Sequence, residues 1–207
     1  MSAGSDRADR LPGLVREREL DWLLVTNLVN VRWLSGFTGT SGACLVSEQE
    51  RLLFTDFRYT ELAAEQAPDF DCVEVERELL AGVAKRASGR VGFDDRHLTV
   101  KAHARLGELV DDGAELVAAS GLVEKLRAVK DADERDAIRA AAAIGDELYD
   151  GLRGGGLAGR TELEVARWIE AEARARGAEP AFPPIVATRE NGARPHAEPR
   201  EVEIGAG

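Results

Sequence analysis

Side chains able to do chemistry are few in this sequence. Three histidines occur in 207 residues, at positions 97, 103 and 196, and none falls in an HExxH-type ligand spacing. His97 follows Phe93-Asp94-Asp95-Arg96, where a strand gives way to a helix, so it and His103 read as solvated or capping side chains. His196 differs by its setting, Asn191-Gly192-Ala193-Arg194-Pro195-His196-Ala197. A turn followed by a proline-fixed histidine at the lip of a strand can aim an imidazole into a cleft. There it could donate a proton or hydrogen-bond a substrate carbonyl. A plain surface histidine fits the same spacing.

Other candidates are weaker. Gly36-Phe37-Thr38-Gly39-Thr40-Ser41-Gly42 superficially suggests a phosphate cradle, but it lacks the lysine of a Walker loop and precedes a strand, so it reads as a connecting loop. Gly154-Gly155-Gly156 reads as a flexible link between helices. Acidic residues such as Glu162, Glu164, Glu170 and Glu172 fall on helical sequence and read as a solvated face. Cys44 and Cys72 sit singly in apolar, strand-like runs and read as buried free thiols.

The elements that must position these groups alternate in type through the first half. Strands are expected at 21–25, 43–47, 51–55, 72–75, 90–93 and 115–118, each rich in Val, Leu or Phe, with helices over 58–66, 79–87 and 99–110. Glu48-Gln49-Glu50 is long enough only for an antiparallel hairpin, so the sheet should be mixed. Near Gly121 the texture changes to Ala-rich, charge-rich helical sequence, and a boundary is expected there. The segment 133–149 carries Ile138, Ala141, Gly145 and Leu148 at helical spacing. Glycines from 151 onward should end that helix. Thr161 and Glu164 form a capping box opening a second helix, with Val165, Trp168, Ile169 and Ala173 on its buried face and Gly177 as a left-handed stop. Residues 182–187 read as a strand and Glu190-Asn191-Gly192 as a turn.

Composition bounds the rest. Hydrophobic residues make up 44% and charged residues 31%, as in a globular protein, and no apolar run reaches the ~18 residues needed to cross a bilayer. Lys and Arg number 27 against 38 Asp and Glu, a net −11 without a basic block, which argues against nucleic acid as a partner. The polar start MSAGSDRADR lacks the apolar stretch of a secretory signal, so a cytoplasmic location is expected.

Several stretches together resemble a known family. Lys125-Leu126-Arg127-Ala128-Val129-Lys130, Glu134, Ile138, Gly159-Arg160-Thr161-Glu162, Gly177-Ala178, residues 182–187, Asn191-Gly192 and Pro195-His196-Ala197 are similar to the opening of the pita-bread catalytic domain of Xaa-Pro aminopeptidases and prolidases, peptidase family M24. Upstream, the run from Val25 to Phe37 and Leu53-Phe54-Thr55-Asp56-Phe57-Arg58-Tyr59 resemble the creatinase-type N-terminal domain that precedes it.

The resemblance implies an α/β chain with a creatinase-type mixed-sheet domain over 1–120, followed over 121–207 by an incomplete pita-bread α+β domain. It implies a metal-dependent hydrolase of peptide bonds next to proline, working as a homodimer, with two divalent ions (Mn, Co or Zn) activating a water. The family's metal ligands lie beyond the Pro-His motif, so no metal ion is expected to bind these residues and the chain by itself is expected to be inactive. His196 matches the family histidine beside the metal centre, which assists substrate binding or proton transfer. The first 120 residues are expected to fold stably and the remainder to be looser. Two alternatives stay open: a stand-alone, non-catalytic oligomerisation or binding domain, and a metal-free relative of the creatine amidinohydrolase type.

Overall fold

The computed structural model describes residues 7–206. The chain divides into two compact units, Met1–Val129 and Lys130–Gly207.

The first unit is a mixed α/β domain on a six-stranded sheet. Its strands are β1 (Trp22–Val25), β2 (Ala43–Val46), β3 (Arg51–Thr55), β4 (Asp71–Glu74), β5 (Arg90–Phe93) and β6 (Glu115–Ala118), in spatial order β4-β3-β2-β1-β5-β6. β2 runs antiparallel to both neighbours, joined to β3 by the expected short hairpin, whereas β3–β4, β1–β5 and β5–β6 pair in parallel. The sheet is therefore mixed.

Period-2 alternation divides the central strands between two apolar cores. Leu23, Val25, Cys44, Val46 and Leu53 face helices α1 (Leu11–Glu17), α2 (Leu28–Ser35), α3 (Thr60–Gln66) and α6 (Leu122–Ala128) through Leu11, Val31, Leu34, Ala63 and Leu122. Trp22, Leu24, Leu45, Leu52, Phe54 and Val91 face α4 (Leu79–Ala84) and α5 (Val100–Leu109) through Val83 and Leu106. Both faces are covered, so the central strands carry continuous apolar runs; each fully buried Leu, Val or Phe contributes about 1.5–3 kcal/mol. Asn30 is buried among them, as are Ser35, Ser47 and Thr55, and it is the one with a side-chain amide. It donates to Glu124 at 2.6 Å and accepts from Arg127 at 2.7 Å, tying α2 to α6 without leaving a buried group unpaired.

The expected boundary near Gly121 lies short of the one observed. Leu122, Val123 and Leu126 of α6 are buried in the first unit's core, and burial of that apolar stripe carries the compact unit on to Val129. Two helices were not anticipated, α1 and α2. Helix α2 starts where the Asn27 side chain accepts from the Val29 N–H and stops at Gly36, whose φ is +85°. A Cβ on Gly36 would stand 2.7 Å from the Gln66 carbonyl oxygen, so glycine meets both a conformational and a steric demand there. The loop from Gly36 then leads into β2, as expected. Cys44 is buried in the sheet, and burial pushes its thiol up to about 12. Cys72 departs from expectation: it is exposed, because β4 is an edge strand whose residues are mostly outside the core.

The second unit is built on a helical hairpin, α7 (Ala132–Gly155) and α8 (Glu162–Ala175). α7 opens with a capping box between Asp131 and Glu134. It passes straight through Gly151, Gly154 and Gly155 instead of ending before them. At Gly151 a Cβ would meet the Trp168 ring at 2.8 Å, so that glycine gives α8 its close approach. Arg176 ties the two helices by donating to Glu147 at 2.9 Å.

Candidate functional site

The start of α8 organises everything that follows it in the chain. Thr161 Oγ1 accepts from the Glu164 N–H at 3.1 Å, and the Glu164 carboxylate accepts from the Thr161 N–H at 2.7 Å, which is the capping box expected from sequence. The two remaining free N–H groups of the first turn, Glu162 and Leu163, donate to the carbonyls of Val202 and Arg200, each at 3.1 Å. Residues 200–204 are thus drawn back across the mouth of the helix, with further bonds from Gly159 to Ile204 and from Ile204 to Arg160. Gly177 ends the far side of the hairpin at φ +75°, as expected.

Glu162 does not belong to a solvated face. Its side chain is fully buried. One carboxylate oxygen accepts from the Thr188 N–H at 2.6 Å. The other accepts from Asn191 Nδ2 at 2.9 Å and from the Arg200 N–H at 2.9 Å, and Arg200 adds its guanidinium at 3.3 Å. Burial alone pushes this carboxyl's pKa up, but the bonds from Thr188, Arg200 and Asn191 together outweigh it and hold the value at about 2. Asn191, also buried, donates a second time to the Glu198 carbonyl at 3.1 Å. The capping box marks Glu164 in the sequence, but nothing local marks Glu162 for burial; only the return of residues 188–200 does so.

His196 lies between these anchor points. It is exposed, its φ is +57°, in the left-handed region that side chains other than glycine rarely adopt, and Arg189 at the start of the same segment is at +50°. Residues 189–193 form a short 3-10 helix where a turn was expected. Residues 182–187 do not form a strand: they carry no regular secondary structure and have no ladder partner among the described residues. With Phe182, Pro183, Pro184 and Ile185, His196 lines an open, largely apolar groove. Imidazole and apolar wall are therefore brought together, although not on a sheet edge.

The other two histidines lie in the first unit. His97 is exposed beyond β5, and His103 on α5 packs its ring against Phe93 with centroids 4.8 Å apart. Among the described residues, no three His, Cys, Asp or Glu side chains converge so as to hold a metal ion. No helix among them is long and apolar enough to cross a membrane.

Comparison with known proteins identifies the family of the chain. Residues 7–129 match the family described as the Creatinase/Prolidase N-terminal domain. The chain belongs to that family. Residues 134–207 match Metallopeptidase family M24, so the second unit carries the start of the M24 domain. Relatives agree over the whole chain. It is 31% identical over 206 residues to the uncharacterized peptidase YqhT of Bacillus subtilis, covering 97% of this chain and 58% of that protein. A solved structure of an Xaa-Pro dipeptidase from Bacillus anthracis superposes with a TM-score of 0.91 at 32% identity, over 99% of this chain and 58% of that one. The N-terminal domain of the cytoplasmic peptidase PepQ from Mycobacterium tuberculosis is 40% identical, with a TM-score of 0.56 over 59% of this chain and 98% of that domain. The chain thus spans little more than half the length of its two Bacillus relatives.

Proposed function

We propose that the chain supplies the N-terminal domain and the opening of the catalytic domain of a metal-dependent peptidase that hydrolyses bonds next to proline, and that His196 is the residue here that touches substrate. The observation that carries this reading is the imidazole held on left-handed backbone at the lip of an apolar groove. The groove suits the ring of a proline residue, and the histidine beside it can donate a hydrogen bond to the carbonyl of the scissile bond or a proton to the departing nitrogen. The identity with the B. anthracis Xaa-Pro dipeptidase supports the substrate class.

Two divalent ions, manganese, cobalt or zinc, complete such a centre in our reading, polarising the carbonyl and supplying the nucleophile. Among the described residues no ligand cluster for such ions is found; in the same reading the chain by itself binds neither ion and does not hydrolyse peptides. It works as a homodimer in the cytoplasm, the location named for PepQ.

The test joins residues 1–207 to the remaining length of the B. anthracis dipeptidase. The chimera is expected to cleave Ala-Pro but not Ala-Ala with added Mn2+, and His196→Ala to lower kcat/KM by about 100-fold or more. A chimera that folds and cleaves neither peptide, or that ignores His196→Ala, overturns the reading. Chelator-sensitive hydrolysis of Ala-Pro by the 207-residue chain alone would overturn its inactivity.

A further inference from the structure

We propose that Glu162 and Asn191 form a clamp that positions His196, a role resting on the reading of His196 just given. Anchor points bracket the histidine on both sides. On one side the Thr188 N–H and Asn191 Nδ2 bond to the Glu162 carboxylate. On the other, the Arg200 N–H bonds to the same carboxylate and the Glu198 carbonyl bonds to Asn191. His196 and Arg189 are held at positive φ inside this bracket. Such backbone persists only where surrounding bonds over-determine it, and here those bonds converge on one buried carboxylate and one buried amide. Ala197, next to the histidine, is itself buried. Glu162 does not face the groove, so it acts through the loop and not on substrate.

The chemistry of the pair fits the task. A carboxylate offers acceptors only, and each donor it meets comes from a segment distant in sequence. Replacing it by Gln keeps the shape but turns an NH2 group toward those donors, so at least one of them loses its partner in a buried site.

The experiment is NMR on the 207-residue chain, comparing wild type with Glu162→Gln, Asn191→Ala and, as control, Thr161→Ala. Thr161→Ala removes a cap from the same helix end without touching the clamp. In Glu162→Gln, amide exchange at Thr188 and Arg200 is expected to accelerate about 10- to 100-fold, the worth of a hydrogen bond to a charged group. The backbone shifts of His196 should leave left-handed values, and the shift induced at His196 by millimolar Ala-Pro should need about tenfold more peptide, or more. Asn191→Ala should act in the same direction with smaller effect, and it decides the matter should Glu162→Gln prevent folding. Thr161→Ala should leave the His196 backbone and its response to Ala-Pro as in wild type. Unchanged exchange and left-handed His196 shifts in a folded Glu162→Gln chain, or in Asn191→Ala if that is the variant that folds, overturn the clamp. So does release of His196 by Thr161→Ala to the same extent. If His196 in the wild type ignores Ala-Pro, the functional reading fails, while the exchange and backbone results still judge the clamp.

Discussion

The two units are held together by different forces. In the first, apolar side chains from both faces of a sheet are buried against six helices, and enclosed polar groups such as Asn30, Ser35 and Thr55 have their partners. In the second, the buried apolar residues among those described are Val165, Ala166, Ala173 and Ala197, and α7 buries none of its own; Glu162 and Asn191 are buried beside them. Non-directional burial is forgiving of small shifts and indifferent to pH. A buried carboxylate is neither, since its contribution depends on its charge and on several bonds at once. The scaffold and the loop bearing the candidate histidine should therefore fail under different insults.

The sharpest way to break the contrast is to attack the sheet. Phe54 is fully buried and packs on α4 beside Gly82, so Phe54→Ala should cost the first unit about 3–5 kcal/mol in urea unfolding. Loss of the His196 loop's amide protection before the sheet's, in that variant, would contradict the assignment of forces.

Acid should act the other way round. The Glu162 pKa lies near 2 against an ordinary value of 4.5. Its stabilising contribution is therefore whole above about pH 4.5 and is lost as pH falls toward 2, as the native state takes up the proton only there. Carboxyls of the first unit are lowered as well, Asp56 through Arg58, Glu78 through Arg105 and Glu124, against its partial burial, through Asn30, but each keeps contact with water, which weakens it, and the apolar cores around the sheet carry no charge to lose. Amides at 188–200 should consequently lose protection at a higher pH than those of β1–β3. Coincident acid transitions would remove the distinction.

Smaller effects calibrate the scale. Thr161→Ala should cost the second unit about 1 kcal/mol, the usual worth of a helix N-cap, read from its unfolding midpoint. Arg139→Ala should cost about 0.5 kcal/mol or less, because its partner Asp136 is as exposed as it is.

Much of the sheet was legible in the sequence because short Val- and Leu-rich runs bounded by charge and glycine admit few other readings; β3, β5 and β6 fall at the expected residues and β1, β2 and β4 within one. Helix α2 was missed since Leu28-Val29-Asn30-Val31 carries no strong helical preference, although Asn27 and Gly36 marked both its ends. The capping box of α8 is a local pattern and could be read locally. The environment of Glu162 could not, because its partners lie 26 to 38 residues onward. His196 was singled out by its neighbours, but its strained backbone and its groove are tertiary facts. The close approach at Gly151 of α7 likewise depends on Trp168, a residue of another helix.

The clamp distributes its demands on the sequence unevenly. Thr188 meets Glu162 through its main-chain N–H, so its side chain is free to vary and proline is the one residue excluded at that position. Arg200 is constrained nearly as little, its backbone making the shorter of its bonds. Drift in this segment should therefore accumulate at Thr188 and Arg200, which bond chiefly through the main chain, and spare Glu162 and Asn191, which bond through their side chains.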